Sequence, residues 1–205
     1  MNTRFNFWQN KYHGRINYRF APCKRKYIIG VLIGRADAFQ GNRNPHERIY
    51  MKSWGNFDQH IAHFEALIKL ILARNMLVIL IGGKQELDIH NALSPEVLSK
   101  CVDYVGKTSV AESIALASLC DVVVGIDTGM QHVSDAIGIK TVSIFGPTSP
   151  KQCGAYSDKA VFAQIDEPCR PCFATETGFS CKHRKCMNRI TPEYVFELII
   201  RQLNS

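Results

Sequence analysis

The sequence predicts an α/β fold: a parallel sheet with helices on its faces. Short apolar, β-branched runs such as Val122 to Ile126 have the composition of strands buried on both sides. Each run breaks at a turn and gives way to helical spacing. Asp127-Thr128-Gly129 is such a turn, and Met130, Val133 and Ile137 then recur as a helical stripe that Gly138 stops. The 205 residues are 46% hydrophobic, enough for one domain with a core. No apolar run reaches the roughly 18 residues of a membrane span.

Residues 1–26 hold seven bases and no acid, whereas from Tyr27 onward 18 bases face 18 acids, so the net charge of +7 sits in a leader. Its interleaved aromatics suit an anionic membrane surface or a nucleic acid. No nucleic-acid motif accompanies them, which favours a loosely ordered leader or the tail of a further domain. The leader has no apolar core of a secretory signal, so a reducing, cytoplasmic setting is expected.

The first strand is expected over Lys26 to Gly34, followed by a long polar loop from Arg35 to Arg48. A helix over 57–74 carries the stripe Ile61, Phe64, Leu67, Ile68 and Ile71. Met76 to Ile81 reads as the second strand and ends in Gly82-Gly83. Asp103 to Gly106 reads as a short strand, and Ser109 with Glu112 forms a capping box for the next helix. After Val122 to Ile126 and its helix come strands over Thr141 to Phe145 and Ala160 to Ile165. Thr191-Pro192 opens a terminal helix with Val195, Phe196, Ile199 and Leu203 on its apolar side.

The Asp127 turn is chemically loaded. Gly129 lets a ligand approach the backbone, and amides at a helix start favour an anion. Thr128 adds a hydroxyl and His132 a ring one helical turn on. Asp127 either caps the helix or binds a ligand hydroxyl or amine.

Asp127-Thr128-Gly129-x-x-His132, a helix of small residues, an apolar strand and then Phe145-Gly-Pro-Thr-x-Pro150 together resemble the nucleotide-sugar motif of glycosyltransferase family 9, the bacterial heptosyltransferases. The resemblance runs, with gaps, from about residue 28 to residue 203. It implies a Rossmann-like sheet equivalent to the C-terminal, donor-binding domain of a GT-B enzyme, with ADP-heptose as the typical donor. It implies that Lys52, in a Lys-x-Trp motif whose following proline is here Gly55, holds the donor phosphates. Glu86, with Asp88 as the alternative, would hold the ribose, and Thr108 would meet the base. The acceptor would be a lipopolysaccharide core, another glycan or a protein, at the cytoplasmic face of the inner membrane. The general base belongs to the family's N-terminal domain, so no catalytic residue is assigned. The chain is expected to be a fragment, a half that pairs with a separate acceptor subunit, or a non-catalytic nucleotide-sugar binder. Asp37 is the first carboxylate of the chain and a poor candidate for the base.

Cys169, Cys172, Cys181 and Cys186 place four thiols within 18 residues, in a finger-like insertion spanning 166–190. The spacing suits a structural zinc or iron ion, with the bases at 182–185 offsetting thiolate charge. Some relatives carry a similar segment, and in certain protein-modifying ones it holds iron. No cofactor for catalysis is expected.

Overall fold

The computed structural model describes residues 27–34, 52–173 and 175–205. The basic leader, the 35–48 loop and Asp37 lie outside the described residues.

Six strands form one parallel sheet: β1 (Ile28–Leu32), β2 (Leu77–Ile81), β3 (Val102–Asp103), β4 (Val122–Ile126), β5 (Lys140–Ile144) and β6 (Ala160–Ala163). Their order is β3-β2-β1-β4-β5-β6. The first described strand lies in the middle, the next two build outward to one side, and β4 then returns to pair with β1. That reversal leaves a crevice beyond the carboxyl ends of β1 and β4, where ligands of open α/β sheets bind.

β2 and β4 are buried along their whole length, as their unbroken apolar runs require. Gly125 interrupts β4 because β1 lies against it: a Cβ there would stand 2.8 Å from Leu32 Cβ and from the Leu32 carbonyl oxygen.

The helices are α1 (Phe57–Ala73), α2 (Leu87–Ala92), α3 (Pro95–Leu98), α4 (Val110–Ala117), α5 (Gly129–Ala136), α6 (Pro150–Cys153), α7 (Glu176–Phe179), α8 (Lys185–Asn188) and α9 (Pro192–Asn204). α1 starts at a capping box in which Asn56 and Gln59 satisfy each other's backbone. Its buried stripe is His60, Phe64, Leu67, Ile68 and Ile71, so His60 takes the place expected of Ile61. His60 belongs in the core because both ring nitrogens are satisfied. Nδ1 accepts from Trp54 N at 2.9 Å, so Nε2 donates to Ile33 O at 3.1 Å. α9 packs beside α1 on the same face of the sheet. The Ser109–Glu112 box caps α4 and Pro192 opens α9, both as expected. No described helix is long and apolar enough to cross a membrane.

α5 departs from its expected stripe. The residues it buries are Gln131, Ser134 and Asp135, while Ile137 is exposed. Gln131 Nε2 donates to Val142 O at 3.1 Å, Ser134 Oγ to Met130 O at 2.7 Å, and Ser157 Oγ to Asp135 Oδ1. Gly138, at φ 83°, ends the helix as expected. β3 is shorter than expected, ending at Asp103, although Tyr104 N and Gly106 N still donate to Leu80 O and Gly82 O alongside it.

Candidate functional site

The crevice beyond β1 and β4 is a cavity of about 490 Å³. Its walls come from the ends of β1, β2 and β4 and from the starts of α4 and α5. Every residue expected to bind a donor lies on it: Lys52, Glu86, Thr108, Asp127, Thr128, Gly129 and His132.

Asp127 is its hub. It follows β4 directly and is 3% exposed, so its carboxylate needs partners. Lys52 Nζ donates to Oδ2 at 2.7 Å, and Thr148 Oγ1 donates to the same oxygen at 2.9 Å. His132 Nε2 lies 3.4 Å from Oδ1. Asp127 is therefore not a helix cap. Thr128 occupies that position in extended backbone and makes no side-chain cap bond. Gln131 N donates to Thr128 O at 3.0 Å, Gly129 and Met130 line the cavity ahead of it, and a Cβ at Gly129 would meet nothing within 4 Å.

The other walls are fixed locally. Glu86 Oε2 accepts from Gly83 N at 2.7 Å, which stands its carboxylate over the Gly-Gly turn after β2. A Cβ on Gly34 would lie 3.6 Å from Glu86 Oε1, so the same group borders the end of β1. Asp88, the alternative, accepts from Ile89 N and is not on the cavity wall. Thr108 Oγ1 lies 2.8 Å from Ser113 Oγ. Trp54 of the Lys-x-Trp motif is fully buried: its Nε1 donates to Ile190 O at 2.8 Å, so it anchors the loop. Gly55, at the position where the resembled motif carries proline, adopts φ 95°, which a proline ring forbids.

Several wall and support residues carried no advance signal. Thr148 sits in the Phe-Gly-Pro-Thr turn, but its bond to Asp127 spans 21 residues. Phe173 puts its ring 4.7 Å from Lys52 Nζ. Cys153, in α6, lines the cavity.

The four clustered cysteines gather beside the Phe145–Thr148 turn. Cys172 N donates to Pro147 O at 2.9 Å, and a Cβ on Gly146 would run into Met187. Burial, with the neighbouring thiols, raises the Cys172 pKa and pushes Cys186 up to about 11. Among the described residues no three His, Cys, Asp or Glu side chains stand in a ready metal-holding group. Arg184, expected to offset thiolate charge, also donates from Nη1 to Ser53 Oγ at 2.8 Å.

Residues 51–183 match the family model "Glycosyltransferase family 9 (heptosyltransferase)". Lipooligosaccharide heptosyltransferase 2 of Campylobacter jejuni is 30% identical over 152 residues, which are 72% of this chain and 48% of that protein. The chain spans about half or less of the curated relatives it matches. The solved ADP-heptose lipopolysaccharide heptosyltransferase II of E. coli superposes with a TM-score of 0.64 at 20% identity, over 100% of this chain and 52% of that one. The iron-containing dodecameric glycosyltransferase TibC of enterotoxigenic E. coli H10407 gives 0.56 at 15% identity, over 93% and 48%. With the family model covering well over half of its length, the chain belongs to glycosyltransferase family 9, the heptosyltransferases.

Proposed function

We propose that this chain is the donor-binding half of a heptosyltransferase and that its cavity holds an ADP-sugar such as ADP-heptose. One observation carries the reading: seven residues from distant segments, expected from sequence to touch a donor, line a single crevice at the sheet's reversal point. The exposed amides of α5 and the Lys52 ammonium take the diphosphate. Glu86 accepts from the ribose hydroxyls, and Thr108 stands at the base. Asp127 and His132 face the sugar.

In transfer with inversion, the acceptor oxygen forms a bond to the sugar's anomeric carbon as the bond to the diphosphate oxygen breaks. The electron pair leaves with the diphosphate, whose charge Lys52 and the α5 amides stabilise. The acceptor proton passes to a base, which the family resemblance assigns to the acceptor-binding domain. The acceptor is a lipopolysaccharide core, another glycan or a protein. A nucleotide-sugar donor and free thiols both fit the cytoplasm, at the inner face of the membrane.

Cys169, Cys172, Cys181 and Cys186 form a structural zinc or iron site in this reading. The donor set suits either ion, and Cys172, Cys181 and Cys186 border one small cavity. Metal binding would displace their protons and staple a segment with little core of its own. Purified protein should carry about one equivalent of zinc or iron; well under one of both rejects the site.

Calorimetry with ADP-, UDP- and GDP-sugars tests the main reading. Heat with the ADP-sugar, lost in Lys52→Met, is expected. No heat with any of the three removes it.

A further inference from the structure

We propose that Phe173 and Arg184, from the Cys-rich segment, are positioning residues for Lys52. The proposal rests on the reading of Lys52 as the diphosphate-binding cation.

A lysine is a compact charge on a flexible four-carbon stem, and ordering that stem costs rotamer entropy. Lys52 is held from two sides. Asp127 receives its ammonium on the cavity side, and the face of Phe173 lies 4.7 Å from Nζ. Its loop is held as well. Arg184 Nη1 donates to Ser53 Oγ at 2.8 Å and to Gly55 O at 3.0 Å, across about 130 residues of chain. Ser53 Oγ in turn donates to Gly55 O at 3.0 Å, which closes the turn right after Lys52.

Two residues on this link have unusual backbone. Gly55 at φ 95° is open only to glycine without strain, because a Cβ would stand 2.7 Å from Gln59 Cβ. Arg184 at φ 44° is in the left-handed region that a non-glycine residue seldom takes. Both bear directly on the Arg184–Gly55 bond.

The segment also holds the other member of the pair. Phe173 N donates to Pro147 O at 3.0 Å, and Arg170 Nη2 to Thr148 O at 3.1 Å. Thr148 then donates to Asp127. One stretch of chain, 170–184, thus braces both Lys52 and the carboxylate that receives it. A cation ordered before the diphosphate arrives binds it at lower entropic cost than a free one.

The full chain is tested with Arg184→Ala, Arg184→Lys, Phe173→Leu and Phe173→Tyr. Without any donor, amine labelling of each lysine is followed by mass spectrometry. Lys52 should label about tenfold faster in Arg184→Ala and Phe173→Leu, with other lysines unchanged. Calorimetry should show ADP about tenfold weaker and adenosine within about twofold, and Phe173→Tyr should restore ADP binding. Should Arg184→Ala fail to fold, Arg184→Lys, which keeps the charge and loses the fork, decides in its place. Unchanged Lys52 labelling overturns the proposal, as does equal loss of adenosine and ADP. If labelling rises as expected but the unaltered chain binds no ADP, the positioning stands and the donor reading falls.

Discussion

A buried carboxylate organises the site. Asp127 accepts from a lysine and a threonine on one oxygen and faces a histidine with the other. Lys52 was legible in the sequence because a motif surrounds it. The pairings of Thr148 and Arg184 were not, since each acts on a partner that only folding brings near. Gly125 shows the same limit: in sequence it interrupts a strand, and in the fold it is a contact. Gly125→Ala should lower stability by about 1–3 kcal/mol, because the new methyl meets rigid strand atoms. A urea midpoint shift without a change in slope would verify this.

His63 gives the fold a pH dependence. Burial lowers its pKa from 6.5, against the raising effects of its bond to Trp54 O and of Glu193. The folded state therefore takes up the proton later than the unfolded chain as pH falls. Stability contributed above the unfolded value is lost on acidification, down to the folded value. The urea midpoint should drop as the pH falls below about 6.5, and His63→Gln should flatten that slope.

Among elements, the strands were legible to within two residues at most ends, because unbroken β-branched runs have few alternatives. The Ser109–Glu112 capping box was legible because both partners lie within one turn, whereas the Asn56–Gln59 box was not singled out. Asn56→Ala removes one such box and should cost about 1 kcal/mol, read as a lowered thermal midpoint. The short helices α2, α3, α7 and α8 went unread, since four to six residues carry too little periodicity. α5 misled for a different reason. Its apolar residues do recur at helical spacing, but the sheet takes the polar face. Met130 instead borders the cavity.

For the whole molecule, strand–helix alternation implied a parallel sheet but not the strand order, which depends on where each crossover lands. The order sets where the proposed donor would sit, and that placement would leave a chemical footprint. Cys153 lines the cavity, whereas Cys120 is buried behind the sheet with a pKa raised by burial and by Asp121. In the native chain an alkylating reagent should modify Cys153 and spare Cys120, and ADP should slow the Cys153 reaction. Peptide mapping with and without ADP reads both outcomes; equal labelling of Cys153 in the two samples would put the nucleotide elsewhere.

The polar underside of α5 bears on how the proposed nucleotide would be aimed. Oily contacts tolerate rotation about a helix axis, because they have no preferred direction. The bonds from Gln131 to Val142 O and from Ser157 to Asp135 do have one. They set the angular heading of the helix as well as its depth, and its leading amides point wherever that heading sends them. Replacing Gln131 and Asp135 with leucine and alanine would keep the helix seated while letting its compass drift.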